Sequence, residues 1–455
     1  MTKKLKQLFF GYLKIILLLT FLILNTPVPI YATQENNNLL PDISAKSAIL
    51  IDAYTGQILY QKNPDLKCFP ASTTKLLTAL VAISKEKDLN KIFKVSKTAI
   101  MIEPGGSSYY LNEGETISFQ DALYAMLLIS ANDAANVIAE NVSGSIQEFV
   151  KEMNSFAQSI GAKDSHFVNP NGLHNPQHYT TAHDLGLVAR EAYKNEILRK
   201  IMSTTEYKIT TASMHKKPDW QIIYNINKLL RKNSKYYYPY ANGMKTGYTA
   251  QAKRCLIASA KKDDIDLIAV ILASDDAFAD AIKLFNYGFN NFKKEELFKQ
   301  NQIVGKMMVD KTNNKWIEGY IKSSFFILKS QSSNSQKQDI TYQVDFLKDI
   351  KPPVHKDTVI GNVYIYSSGN LLTSIPVLSY ESYIPQPEVS TLINSAKKGF
   401  VKGFKFLLYF LIIVVMMTVI FIIATIIRLK RRKVKLRLRS TKTIDFSSFI
   451  SKKLK

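Results

Sequence analysis

The residues from Phe406 to Ile427, FLLYFLIIVVMMTVIFIIATII, carry no charge. As an α-helix they rise about 33 Å, enough to cross a hydrocarbon core of about 30 Å. Their only polar side chains are Thr418 and Thr425, and a core helix of that length with so little polarity is unusual. RLKRRKVKLRLR follows at once. The bias of Lys and Arg toward the cytoplasmic side puts the C-terminus inside and everything before Phe406 outside.

The N-terminus agrees. MTKKLKQLFFGYLKIILLLTFLILNTPVPIYA has a basic start, an apolar run from Ile15 to Leu24 and a small residue at Ala32. This reads as a secretory signal peptide over residues 1–32. Ile30 is larger than the usual residue at its place, and an uncleaved N-terminal anchor is the alternative. The formal charge of +23 suggests nucleic acid until its distribution is read. Residues 428–455 carry +11 and residues 1–32 carry +4, leaving +8 for residues 33–427. A basic excess beside apolar segments is a membrane pattern, so the partner expected is a membrane and not nucleic acid.

Only two cysteines occur, Cys68 and Cys255. So few in an extracellular chain do not make a disulfide scaffold. Two free thiols are expected, with a single bridge left open. No CxxC or HExxH is present, and the six His show no metal-ligand spacing. Neither metal nor cofactor is expected.

SAILIDAYTGQILYQKN reads as two strands around a turn. Helical spacing runs through ETISFQDALYAMLLISANDAANVIAENVSGS, with Thr116 or Ser118 as N-cap and Gly144 after the last turn. A Pro/Gly/Asn loop then leads to a helix beginning near Thr181. KRCLIASAKKDDIDLIAVILAS reads as two strands around a charged turn at residues 261–264, and DDAFADAIKLFNYGFNNF as an amphipathic helix. Strands at both ends with helices between give an α/β domain over residues 39–293. Beyond it ITYQVDF alternates, and VIGNVYIYSSGNLLTSIPVLS reads as a hairpin turning at residues 367–370. A small all-β domain is expected over residues 295–385. A linker (386–405), one transmembrane helix (406–427) and a basic cytoplasmic tail (428–455) follow, with Lys397, Lys398, Lys402 and Lys405 on the outer side.

Three short motifs bear chemistry. CFPASTTKLLTALVAIS places Lys75 three residues after Ser72, so both side chains lie on one helix face. A buried lysine is a base if its pKa is lowered, and a serine hydroxyl needs a base to become a nucleophile. Ser-x-x-Lys also occurs at Ser84, Ser213, Ser259 and Ser395, and Ser72 as an N-cap with a snorkelling Lys75 is the bland alternative. In LLISANDAANVIAE, Ser130 and Asn132 mark a polar break in a helical stretch. This is either a loop offering a hydroxyl and an amide to a pocket, or a helix boundary capped by Asn132. Lys245-Thr246-Gly247 in NGMKTGYT sits at a strand start, where a glycine admits substrate to the backbone and the preceding pair could hold an anion. A turn is the alternative.

Taken together and in this order, the motifs resemble those of the low-molecular-mass penicillin-binding proteins that are D-alanyl-D-alanine carboxypeptidases. SAILIDAYTGQILYQKNPD, FPASTTKLLTALVA, LLISANDAANVIAE, HFVNPNGLHNPQHYTTAHDL and GMKTGYT are similar to the family at matching places, and the resemblance spans about residues 45–385. It implies a penicillin-binding/serine β-lactamase-like α/β fold: an antiparallel sheet with helices plus an all-helical region, then a small all-β domain and a C-terminal transmembrane helix. It further implies Ser72 as acylated nucleophile, Lys75 as its base, Ser130 as proton relay and Asn132 on the substrate peptide. Lys245 and Thr246 would receive the terminal carboxylate, Gly247 would let the substrate approach, and the N–H groups of Ser72 and Tyr248 would form the oxyanion hole. The implied substrate is the peptidoglycan stem peptide, with β-lactams as covalent inhibitors.

Two departures stand out. Many members have Ala-Gly where this chain has Ala252-Lys253, and many carry a basic residue where it has Asp266. Against a β-lactamase, DSHFVNPNGLHNP lacks the Glu that activates a deacylating water in class A enzymes. A DD-endopeptidase or transpeptidase and a non-catalytic wall-binding protein complete the alternatives, the last opposed by the intact motifs.

Overall fold

The computed structural model describes residues 40–102, 106–215, 218–331, 339–348, 350–385 and 389–444. The signal-peptide reading and the end of the basic tail lie outside them. The strands in chain order are β1 (Ser47–Asp52), β2 (Ile58–Lys62), β3 (Ile92–Lys94), β4 (Thr116–Ser118), β5 (Glu206–Lys208), β6 (Ile222–Tyr224), β7 (Ala241–Thr249), β8 (Lys253–Lys262) and β9 (Ile265–Ser274). β10 (Phe292–Phe298), β11 (Gln302–Asp310), β12 (Lys315–Ile321), β13 (Phe325–Ser330), β14 (Ile340–Phe346), β15 (Val359–Ser367) and β16 (Asn370–Ser379) follow. The helices are α1 (Lys75–Lys85), α2 (Phe119–Leu128), α3 (Asn132–Ser143), α4 (Ile146–Ser159), α5 (Ala182–Lys194), α6 (Glu196–Ser203), α7 (Pro218–Gln221), α8 (Ala277–Asn291) and α9 (Val389–Ile444).

The main sheet runs β2-β1-β9-β8-β7, antiparallel at every pairing, so β7 is an edge. Side chains alternate across a strand. Ile49 and Ile51 of β1 therefore join the core built with the helices from α1 to α6, while Ala48 and Leu50 join a second core with Leu284 and Phe285 of α8. Burying both faces fixes the register, because a one-residue slip would exchange them.

The helix starts follow the sequence. Ser118 caps α2 by accepting from Asp121 N–H, Thr181 caps α5 by accepting from Asp184 N–H, and Gly144 ends α3 at φ 80°. A left-handed residue after a last turn is the usual helix stop. After α8 the chain forms a two-stranded β10-β13 pair and a five-stranded sheet in the order β11-β12-β16-β15-β14. The β15–β16 hairpin turns where its sequence predicts, Ser367 pairing with Asn370. Gln57 joins the two β regions: its amide N–H donates to Leu328 O at 2.7 Å and its Oε1 accepts from Leu328 N–H at 2.9 Å.

The segments Val309–Lys315, Ile350–Lys356 and the chain from Glu381 form a second compact unit. Within it α9 starts at Val389, inside the stretch expected as a linker. Residues 393–433 of α9 are long and apolar enough to cross a membrane by length and composition.

Candidate active site

The turn before α1 is a short 3-10 segment, Ala71–Thr74, with Ala71 at φ 49°. Ser72 lies inside this turn, not at the N-cap of α1, so the capping alternative does not apply. Side chains tie the turn down. Thr73 Oγ1 donates to Pro70 O at 2.7 Å and Thr74 Oγ1 to Ala71 O at 2.9 Å. His178 Nε2 is 2.9 Å from Thr74 Oγ1, while His178 Nδ1 accepts from Val168 N–H at 3.3 Å. Burial pushes the His178 imidazole down to about 3. It is therefore neutral, and the bond at Nδ1 leaves the proton on Nε2.

Lys75 is the first residue of α1 and has no solvent exposure. Its Nζ sits 2.9 Å from Ser72 Oγ, 2.6 Å from Asn132 Oδ1 and 2.5 Å from Asn171 O. Burial first, and the charge of Lys245 second, hold its ammonium well below the usual lysine range, against a weaker opposing pull from Asp133. A neutral amine has two N–H donors and one lone pair. The two carbonyl oxygens can only accept, so they take the two N–H groups and the lone pair faces the hydroxyl of Ser72. The site thus presents a base to one proton only.

Ser130 stands between α2 and α3 at φ 66°, and Asn132 opens α3. The N-cap of α3 is Ala131, which makes no side-chain cap, so Asn132 is not a capping residue. Its backbone N–H donates to Ser107 O at 2.8 Å. Asp133 anchors the same segment: its carboxylate accepts from Tyr109 N–H (3.1 Å), Leu111 N–H (3.0 Å) and Ser108 Oγ (2.7 Å).

Lys245, Thr246 and Gly247 lie in the middle of β7, not at a strand start and not in a turn. Lys245 is buried, its Nζ donates to Thr246 O at 2.9 Å, and burial brings its pKa down to about 7. A Cβ on Gly247 would stand 3.0 Å from Pro70 O, Ser72 N and Thr73 N. The edge strand therefore passes directly over the Ser72 turn, and glycine allows that approach.

Sequence reasoning missed Asn171 and Gly172. Asn171 supplies the carbonyl to Lys75, and its Nδ2 donates to Asn136 Oδ1 at 3.0 Å. Gly172 has φ 82°, and a Cβ there would come within 1.9 Å of Ala71 O. Thr78 holds the loop by donating to Pro170 O at 2.6 Å. The Pro-Asn-Gly run was the available signal; its turn chemistry was legible, but not its destination.

These parts close around a cleft of about 420 Å³, lined by Ser72, Ser130, Asn132, Thr246, Gly247 and Tyr248 among others. A larger hollow of about 770 Å³, lined by Tyr60, Arg190 and Leu371, contains none of the three motifs. Both cysteines are free thiols. Cys255 is buried and its Sγ lies 3.5 Å from Phe69 O.

Residues 32–276 match the D-alanyl-D-alanine carboxypeptidase family, and residues 292–383 match the C-terminal domain of penicillin-binding protein 5. The chain belongs to the D-alanyl-D-alanine carboxypeptidase family. It is 34% identical over 343 residues to D-alanyl-D-alanine carboxypeptidase DacF of Bacillus subtilis, covering 74% of this chain and 85% of that one. To DacA of Haemophilus influenzae it is 28% identical, covering 73% and 84%. Penicillin-binding protein 5 from Haemophilus influenzae superposes with a TM-score of 0.61 at 25% identity, covering 76% of this chain and 99% of that structure. Penicillin-binding protein 3 from Streptococcus pneumoniae shares the fold, with a TM-score of 0.63 at 22% identity over 75% of this chain and all of that one. The chain is a low-molecular-mass penicillin-binding protein and a serine-type D-alanyl-D-alanine carboxypeptidase.

Within this family the two departures acquire a physical reading. Lys253 stands at φ 56°, a conformation that glycine adopts freely and lysine does not. Asp266 is buried at the far end of β9, where it accepts from Tyr193 Oη at 2.5 Å and meets Lys261 Nζ at 3.3 Å. It pairs across the sheet with Lys261, whereas Lys245 pairs with Ile257, so Asp266 lies several residues from the cleft.

Proposed function

We propose that the chain removes the terminal D-alanine of peptidoglycan pentapeptide stems through an acyl-enzyme on Ser72. The observation that carries this reading is the environment of Lys75 Nζ, whose one proton-accepting direction is Ser72 Oγ. Ser72 gives its proton to Lys75 as Oγ bonds to the scissile carbonyl carbon. The oxygen that becomes negative lies between the N–H groups of Ser72 and Tyr248; removing one such donor typically costs ~3 kcal/mol of transition-state stabilisation. The C–N bond then breaks, and the proton passes from Lys75 by way of Ser130 to the departing D-alanine amine. Water then attacks the ester carbonyl as Lys75, neutral again, takes its proton. The C–Oγ bond breaks, the proton returns from Lys75 to Ser72 Oγ, and the shortened peptide leaves as a carboxylic acid that ionises in solution. Asn132 holds the substrate peptide, and Lys245, Thr246 and Gly247 form the strand against which its C-terminal end lies.

In this reading residues 1–32 export the chain, residues 39–293 are the catalytic domain and residues 295–385 a β domain outside the cell. Residues 386–405 lead to a single membrane span at 406–427, with the tail of residues 428–455 in the cytoplasm. The apolar length of α9 and the basic run behind Ile427 support that topology. β-Lactams acylate Ser72 and are expected to leave slowly, since the segment DSHFVNPNGLHNP lacks the Glu that activates a deacylating water in class A β-lactamases.

Mass spectrometry of the penicillin-treated chain tests the site, with a long-lived adduct expected on the peptide containing Ser72. D-alanine release from a D-Ala-D-Ala pentapeptide tests the reaction. Penicillin labelling without such release would exclude the carboxypeptidase role, and rapid penicillin turnover would favour a β-lactamase.

A further inference from the structure

We infer that Arg254, which lines the cleft, and not the buried Lys245, is the cation that receives the substrate's terminal carboxylate. The inference rests on the carboxypeptidase reading of the cleft and changes which residue supplies its charge.

Among the described residues lining the cleft, Arg254 alone has a charged side chain; neither Lys75 nor Lys245 forms part of the wall. Its position follows from register. Arg254 of β8 pairs directly with Tyr248 of β7, so both side chains share one sheet face, and Thr246 lies two residues earlier on that face. A carboxylate beside the Thr246 hydroxyl is therefore within the sweep of the guanidinium. Ala277 and Phe278, at the start of α8, complete this wall. The β8–β9 register shifts between Arg254 and Leu256, and such an irregularity re-aims the side chain beside it.

The surroundings leave the charge of Arg254 available. Nη1–H donates to the backbone carbonyl of Asp275 at 3.0 Å, the only bond of the guanidinium among the described residues. The Asp275 carboxylate is paired with Lys253 Nζ at 2.9 Å. The nearby acid makes its hydrogen bond with the neighbouring lysine and feels the charge of Arg254 only as a weaker pull, so the one bond of the guanidinium goes to a neutral oxygen. A guanidinium offers two parallel N–H groups in the geometry a carboxylate accepts and stays charged at every working pH.

Lys245 is the poorer receiver. It is buried, one of its donors is committed to Thr246 O, and with a pKa of about 7 it carries only part of a charge at neutral pH. That charge acts on Lys75, where it lowers the pKa of the base.

The test compares two substrates of the full chain in detergent: an acylated peptide ending in D-Ala-D-Ala with a free carboxylate, and the same peptide as its C-terminal amide. The wild type is expected to prefer the carboxylate in kcat/KM. Arg254→Ala should reduce that preference roughly 10- to 150-fold, the range for a hydrogen bond to a charged group, by slowing the carboxylate peptide and sparing the amide. Arg254→Lys, which keeps the charge and loses the fork, should fall between. Complete labelling of both variants by penicillin at long times shows that the fold is kept. A preference unchanged in both variants, or equal slowing of both peptides, overturns the assignment to Arg254 and leaves the peptidase reading standing. A wild type that releases no D-alanine from the carboxylate peptide overturns that reading instead.

Discussion

The backbone carbonyl of Asn171 accepts a hydrogen bond from Lys75 Nζ at 2.5 Å, across a separation of 96 residues. A carbonyl oxygen can take an N–H and can give nothing back. Together with Asn132 Oδ1 it orients the amine so that its lone pair points at Ser72. The loop from Pro170 to Gly172 therefore belongs to the base as much as Lys75 does.

Penicillin acylation should fall on the acid side as pH drops through the lowered pKa of Lys75, since the protonated amine cannot accept the Ser72 proton. Lys245 lowers that pKa and Asp133 raises it. Lys245→Met should therefore move the acid limb to higher pH, and Asp133→Asn should move it to lower pH. Stopped-flow acylation rates across pH measure both. Shifts in the same direction would show that the two residues act through structure, not charge.

Lys245 should also make stability depend on pH. Its folded pKa is about 7 and its ordinary value 10.5, so between these values the unfolded chain holds a proton that the folded chain does not. Stability contributed at this residue then rises with pH over that window. Methionine fills a similar volume without a charge to desolvate. Lys245→Met should stabilise by several kcal/mol, at most about 5 from the size of the shift, at and below neutral pH. The gain should fade toward pH 10.5, as read from Tm at pH 6 and pH 10.

Gly172→Ala should be far worse than Gly247→Ala. The first puts a Cβ 1.9 Å from a backbone oxygen at φ 82°, while the second needs shifts of a few tenths of an ångström around Pro70, Ser72 and Thr73. We expect Gly172→Ala to cost roughly 3 kcal/mol or more of stability. Gly247→Ala should keep nearly all its stability and lose acylation rate, because the shift falls on the nucleophile turn. Thermal unfolding and penicillin labelling separate the two.

Lys253→Gly should leave the stability of the chain nearly unchanged despite removing an ion pair. A non-glycine residue in the left-handed region costs roughly 1–2 kcal/mol, and the ion pair given up with Asp275 is exposed and worth at most about 1 kcal/mol. The added flexibility of glycine in the unfolded chain takes back about 0.5–1 kcal/mol. The three terms nearly cancel, so a stability within about 1 kcal/mol of the wild type is expected in Tm measurements, and a larger loss would mean that the Lys253–Asp275 pair is stronger than its exposure implies.

The local elements were legible because each rests on nearby residues. Hairpin turns, the caps at Ser118, Thr181 and Gly144, and the apolar span before RLKRRKVKLRLR need only periodicity and turn chemistry. The motif residues were legible as residue types, and the order of Ser72, Lys75, Ser130, Asn132 and Lys245 was enough to suggest their common site. Tertiary structure decided their surroundings. It set Lys245 in mid-strand and buried it, gave Lys75 two acceptors and one hydroxyl, and brought Gly172 against Ala71. It also left Arg254 facing the cleft while its neighbouring acid pairs elsewhere. Periodicity carries no information about which loop will end beside which side chain. A lysine's pKa and an arginine's partners are fixed by burial and by neighbours as far away in sequence as Lys245 is from Lys75, and those exist only once the chain has folded.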